Sequence, residues 1–209
     1  MQIENHKEEV PFAHYEGLFR SLDPQEAAER TGAKWDGKEF YVNLLGREYA
    51  ISHPEYALRA LDEGKLPPLP VQTFLLRCLL EGKAAPWAGE WKTFREMPWG
   101  EMYIGPYTGR CLTRAAFTFG TRIEAFKAAC EKMGAAPVSH GDAPVSHGDA
   151  GFEFAFIGSY KMRMLIWEGD DEFPPSAQIL YSDNFAAGFA AEDRVVAADI
   201  LITAIQSKM

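Results

Sequence analysis

Apolar positions along this chain recur at two different periods, and the changes between them mark out its elements. Phe12, Tyr15, Phe19 and Leu22 are three or four residues apart, the spacing of one helix face. Asp23-Pro24-Gln25-Glu26 then restarts a helix: Asp23 can cap the first free amides, Pro24 suits the first helical position, and Glu26 stands where a capping box places a carboxylate. Gly32 ends it. Alternation replaces helical spacing from Ala33 onward. Asp36-Gly37 reads as a two-residue hairpin turn between Ala33–Trp35 and 38–44, and Leu45-Gly46-Arg47 turns the chain into 48–52. The pattern fades from His53 to Leu69, with Pro67-Pro68-Leu69-Pro70 as an extended connector.

A broad apolar stripe, Val71, Phe74, Leu75, Cys78 and Leu79, predicts a helix from about Pro70 to Glu81. Trp87, Trp91 and Trp99 surround a short predicted strand at 90–95. Thr121-Arg122-Ile123-Glu124 has the form of a capping box and opens a helix with Ile123, Phe126, Cys130 and Met133 inward, closed by Gly134. Phe152, Phe154 and Phe156 alternate with Glu153, Ala155 and Ile157, Gly158-Ser159 suits a hairpin turn, and Tyr160, Met162, Met164 and Ile166 alternate on the far side. A third strand at 177–182 and a final helix with Ala191, Val195, Ala198, Ile202 and Ile205 on its stripe complete the chain. Helices between two groups of antiparallel strands, followed by a C-terminal helix, predict one α+β domain over residues 1–209.

Composition narrows the function classes. At 209 residues with 47% hydrophobic positions, one core suffices. No window approaches the roughly 18 apolar residues of a membrane span, and the polar, acidic start of the sequence does not resemble a secretory leader. A net charge of −9 without a basic run argues against nucleic acid. Cys78, Cys111 and Cys130 are scattered in apolar stretches, so reduced buried thiols in a cytoplasmic protein are expected.

Several catalytic motifs are absent: Gly105-Pro-Tyr-Thr-Gly109-Arg110 lacks the lysine of a phosphate loop, and no dinucleotide-binding glycine motif, nucleophile elbow or paired-histidine zinc motif occurs, while a cysteine–histidine pair, whose partners meet in space, leaves no local mark. Residues 136–149 repeat Ala-Pro-Val-Ser-His-Gly-Asp in tandem, which reads as a flexible loop expansion rather than a metal site built on His140, Asp142, His147 and Asp149. The strongest local signal is Trp167-Glu168-Gly169-Asp170-Asp171-Glu172, four carboxylates within five residues ahead of Phe173-Pro174-Pro175. On a continued strand Glu168, Asp170 and Glu172 would share a face, a setting for a hard cation or an acid–base pair. A solvated connection that serves as a contact surface is the alternative. Trp91, Trp99, Tyr103 and Tyr107 either belong to the core or line a pocket for a flat ligand.

Several blocks together resemble a known family. They are Leu22-Asp23-Pro24 with Ala27-Ala28, Asp36-Gly37 with Leu45-Gly46-Arg47-Glu48-Tyr49, Gly89-Glu90-Trp91, and above all 167–177 with Ala191-Glu192-Asp193 behind it. The chain is similar to the domain-of-unknown-function family numbered 3786, of anaerobic bacteria and archaea. The resemblance implies no particular reaction. Some relatives carry an iron–sulfur module like that of corrinoid iron–sulfur proteins, and the three scattered cysteines here do not match it. The expectation is a non-catalytic accessory or binding protein of anaerobic metabolism, with a protein partner in redox or corrinoid chemistry and 168–172 as its contact surface. Two alternatives remain at this point: a metal-dependent or acid–base enzyme using that acidic loop, and a cofactor carrier using the tryptophan-rich segment. A cleft gathering the carboxylates with Arg47, Arg95 or a histidine would favour an enzyme; a loop on a convex surface would favour the accessory protein.

Overall fold

The structure, a computed structural model, describes residues 7–138 and 148–209. Its centre is an antiparallel sheet made of two meanders. The first comprises β1 (Lys34–Trp35), β2 (Glu39–Leu44), β3 (Arg47–Ser52) and β4 (Ala57–Ala60); the second comprises β6 (Ala136–Pro137), β7 (Ala150–Ile157), β8 (Tyr160–Trp167) and β9 (Ser176–Ser182), with β5 (Trp91–Thr93) on the outer edge of β9. They meet where Leu44 pairs with Ile157 and the Leu45 N–H donates to the Phe156 carbonyl at 2.8 Å.

Helices α1 (Glu9–Phe19), α3 (Leu69–Glu81), α6 (Ile123–Lys132) and α8 (Ala191–Gln206) follow the apolar stripes of the sequence, and α2 (Pro24–Thr31) lies between its Asp23 cap and the left-handed Gly32. Their buried faces form one core with the second meander. Phe126 meets Phe152 edge-on at 5.7 Å, Phe74 meets Phe156 at 5.7 Å, and Ala198, Ile202 and Ile205 of α8 are fully buried. The α+β class and the meander over 152–182, turning at Gly158-Ser159, are as the alternation predicts.

Four local features depart from the sequence reading, each for a physical reason. In the first hairpin Trp35 pairs with Phe40, so Gly37-Lys38 rather than Asp36-Gly37 occupies the turn. Gly37 supplies the positive φ (98°) that this turn needs, while Asp36 Oδ1 closes it by accepting from Lys38 N–H and Glu39 N–H at 2.9 and 2.8 Å. Strand β4 lies where the pattern fades, because only Leu58 and Ala60 of its four residues are buried. At Thr121–Glu124 the cap position falls on Arg122, and no side chain caps α6.

The fourth departure is the largest. Residues 100–119 are helical throughout, as α4 (Gly100–Tyr107), a π-helical turn at Thr108–Thr113 and α5 (Arg114–Phe119), despite Gly105, Pro106 and Gly109. Tyr107, Cys111, Ala115 and Phe119 are essentially inaccessible. Steps of four drift by about 40° each on an ordinary α-helix, and a widened turn takes up that drift. Burial therefore outweighs the poor helix propensity of the glycines and proline. A further short helix, α7 (Phe185–Gly188), leads into α8. Within the repeat, Val138 N–H donates to the Gly151 carbonyl and Asp149 N–H to the Ile166 carbonyl, so both ends are tied to the meander; His140, Asp142 and His147 lie outside the described residues.

Candidate functional site

Strand geometry ends at Trp167, and the eight residues before Ser176 form a loop rather than a strand extension. Asp170 explains the change. Its Oδ1 accepts from Glu172 N–H at 2.8 Å and Phe173 N–H at 2.7 Å, while Asp170 N–H donates to the Phe173 carbonyl at 2.9 Å. This turn rotates the chain, so Glu168, Asp170 and Glu172 do not line up as they would on a strand. The amides of Phe173 and Glu172 hold the Asp170 carboxyl below the usual aspartate range. The loop base is anchored: Asp149 Oδ2 accepts from Glu168 N–H at 2.7 Å, and Pro175 lies against Gly120 and Gly169, where an added Cβ would stand 2.5 and 2.6 Å from its ring.

Glu168, Asp170, Asp171 and Glu172 are exposed, Trp167 is half-buried, and Phe173 leaves 67% of its surface in solvent. Arg47 is engaged with Asp62 and Arg95 with Glu101, so neither joins these carboxylates. Among the described residues, no three His, Cys, Asp or Glu side chains are placed to hold a metal ion.

The tryptophan-rich segment divides between three surroundings. Trp87 and Trp91 sit on the sheet's outer side under Lys161 and Arg163, which lie 4.4 and 4.2 Å from the ring centroids. Glu153 accepts from both cations at 2.8 to 3.1 Å, making a compact ion-pair and cation–π group. Tyr107 is buried, stacked on Phe94 at 4.0 Å. Trp99 and Tyr103 instead face a cavity.

That cavity, about 620 Å³, lies between α3, the start of α4 and the first turn of α8. Its polar centre joins residues far apart in sequence. Arg77 reaches Asp193 through Nε (2.7 Å to Oδ1) and Nη2 (2.9 Å to Oδ2); Nη2 also reaches Glu81 at 3.1 Å, and Nη1 donates to the Tyr15 hydroxyl. Tyr103 donates to Glu192, which with the local backbone amide keeps that carboxyl below its ordinary range. Arg194, only 1% exposed, donates from Nε to the Ala190 carbonyl at 3.3 Å and from Nη2 to the Pro98 carbonyl; its Nη1 has no partner. Burial pushes this guanidinium's pKa down.

Sequence reasoning passed over Arg77, Glu81 and Arg194, because nothing local marks them. The one available signal was Ala190-Ala191 ahead of a long apolar stripe, a helix start without a capping side chain. Cys78 borders the cavity, but burial pushes its thiol well up, as it does for Cys130, and Cys111 is pushed up to about 12. His53 is held at the Phe19 carbonyl (3.1 Å) among Phe19, Trp35 and Phe40. No helix of the described residues is long and apolar enough to cross a membrane. No curated protein and no solved structure gave a match to this chain. Residues 23–204, which carry the strands, the acidic loop and both sides of the cavity, match the family described as Domain of unknown function (DUF3786), and the chain belongs to that family.

Proposed function

We propose that this protein is a non-catalytic accessory protein that docks a protein partner through the loop at 168–173. The observation that carries the reading is Phe173, two-thirds exposed on an anchored turn whose loop also carries the exposed carboxylates of Glu168, Asp171 and Glu172. An aromatic anchor inside a charged rim is the usual form of an energetic hot spot. Because Asp170 fixes the turn beforehand, little loop entropy is lost on docking. The rim carboxylates would attract a basic patch and speed its approach. The partner class consistent with the family resemblance is an electron-transfer or corrinoid protein of anaerobic metabolism, met in the cytoplasm, where three buried reduced thiols are stable.

Two immobilised variants test this against wild type in anaerobic extract of the native host: Phe173→Ala, and a triple variant Glu168→Gln, Asp171→Asn, Glu172→Gln. All should melt within about 2 °C of one another, as substitutions on an exposed surface do. A partner with flavin, iron–sulfur or corrinoid absorption should be retained by wild type, released by salt, and lost from both variants. Equal retention by all three proteins would overturn the proposal.

A further inference from the structure

A second cavity, about 920 Å³, lies along α8, and no residue of the acidic loop borders it. It is bounded by the β2–β3 turn, the connector from Leu61 to Pro70, the end of α6 and α8 positions from Val196 to Lys208. At a rise of about 1.5 Å per residue those α8 positions span roughly 18 Å, so the space is a long groove. Its walls are aliphatic. Leu44 and Ile200 are buried, Leu45, Val71 and Met133 are half-buried, and Leu66 leaves 52% of its surface in solvent. The one aromatic ring in the lining, Tyr49, is buried beneath the Arg47 guanidinium. No exposed ring is there to stack on a flat ligand, and such walls suit an alkyl chain.

The connector is fixed before any ligand arrives. Asp62 accepts from Arg47 Nε and Nη2, each at 2.9 Å, and its Oδ1 also accepts from Gly64 N–H at 3.0 Å. Pro67, Pro68 and Pro70 stiffen the chain just beyond Leu66. An exposed leucine held beside apolar walls is surface that a ligand buries with little loss of loop entropy.

Charge sets the head group. The lining carries Arg47, Lys65, Lys132 and Lys208 against Glu48, Asp62 and Asp199. Arg47 takes Asp62, while Arg110 and Arg114 take Asp199 at 2.9 and 2.5 Å. Among the described residues, the three lysines pair with no carboxylate. Lys132 and Lys208 stand where α6 and α8 end, so the terminal carbonyls offset their charge, and Lys132 Nζ donates to the Lys208 carbonyl at 3.3 Å. Lys65 instead precedes α3, whose 13 residues turn the positive end of their dipole toward the connector, so the two fields add.

We propose that this groove binds a linear alkyl monocarboxylate, a fatty acid of medium or long chain, with its chain along α8 beside Leu66 and its carboxylate at Lys65. The volume falls in the range of small-molecule sites. The aliphatic walls supply affinity through burial, and the unpaired ammonium selects the anion over a neutral or cationic head.

The test uses decanoate as probe, with hexanoate as its short counterpart, decylammonium as its cationic one and decanoyl-N-methylglucamide as its neutral one, all below their micelle-forming concentrations. Calorimetry should give one decanoate per chain with a Kd of about 0.1 mM or tighter. Full burial of a methylene is worth about fourfold in affinity, and an open groove covers part of each, so hexanoate should bind about tenfold more weakly. Decylammonium and the glucamide should also lose about tenfold. The methyl resonances of Leu66 and Ile200 should move with decanoate. Lys65→Gln should weaken decanoate about tenfold and leave the glucamide unchanged, whereas Lys132→Gln and Lys208→Gln should cost less than about threefold. Leu66→Asp, at an exposed position, should abolish decanoate binding and melt within about 2 °C of wild type. Several molecules bound per chain, indifference to chain length or head-group charge, or an unaffected Lys65→Gln would each overturn the proposal. So would a stable dimer in sedimentation that covers the Leu66 methyls and resists decanoate, since the occupant would then be a second copy of the chain.

Discussion

From Glu168 to Glu172 four carboxylates stand in five residues, all in solvent, and the fold uses one of them, Asp170, to make a turn. At the start of α8 only two carboxylates are adjacent, yet Asp193 is buried and held by Arg77, 116 residues away in sequence, while Glu192 is held by Tyr103. The first region is rich in charge and poor in partners; the second is the reverse. Charge density along a sequence measures repulsion, which water relieves at little cost. A polar centre in space depends instead on long-range packing, here of α3 and α4 against α8.

The sharpest way to break this contrast is Asp193→Ala. It strips the Arg77 guanidinium, largely shielded between α1, α3 and α8, of the carboxylate that pairs with it, and leaves it Glu81 and Tyr15 alone. Removing one member of a buried pair strands the other, so a loss of about 3 kcal/mol is expected in urea unfolding, with an unchanged m-value. The triple neutralisation in the acidic loop should leave the unfolding midpoint where it is. Comparable losses in both regions would show that the loop carboxylates have partners comparable to those of Asp193.

What was legible follows the same division. Periodicity located α1, α3, α6, α8 and the 152–182 meander, because each pattern records burial on one face and one face decides each element, while α2 was legible from its ends, the Asp23 cap and the Gly32 stop. The helical run 100–119 was hidden because Gly105, Pro106 and Gly109 lower local propensity, whereas the burial of Tyr107, Cys111 and Phe119 that rescues it comes from elements far away in sequence. The acidic segment was found, but its shape was not. The strand extension assumed that no side chain would compete for the backbone, and Asp170 does so within three residues. Arg77 and Arg194 belong to a site that only the tertiary structure assembles.

A smaller effect tests the role given to Asp170. The amides of Phe173 and Glu172 stabilise its ionised form, so its folded pKa lies below the unfolded one. The sign follows: this contribution is present in full above the ordinary aspartate value near 3.9 and is lost as pH falls through the lower folded value. A carboxyl ¹³C titration should place the Asp170 midpoint below about 3.9. Acidification from pH 5 to pH 2 should cost wild type slightly more stability than Asp170→Ala. A midpoint at or above the ordinary value would mean that the turn does not persist in solution.

The smallest expected effect concerns divalent cations. A bound Ca²⁺ needs 6 to 8 oxygen ligands at about 2.3–2.6 Å, and Mg²⁺ demands near-octahedral geometry. The loop offers no such arrangement: Asp170 Oδ1 already accepts two amides, and the turn carries Glu168 and Glu172 out of strand register. What remains is a diffuse negative field, screened over about 10 Å at ordinary ionic strength. Mg²⁺ and Ca²⁺ should therefore shift the melting temperature weakly, alike and without saturation, as monovalent salt of equal ionic strength does. A true site would behave otherwise. Stability would rise with the logarithm of cation concentration above the dissociation constant, for one cation more than the other, and Asp170→Asn with Glu172→Gln would abolish the rise. That outcome would turn the acidic loop from a docking surface into a metal centre and make a metal-dependent activity the better account of the protein.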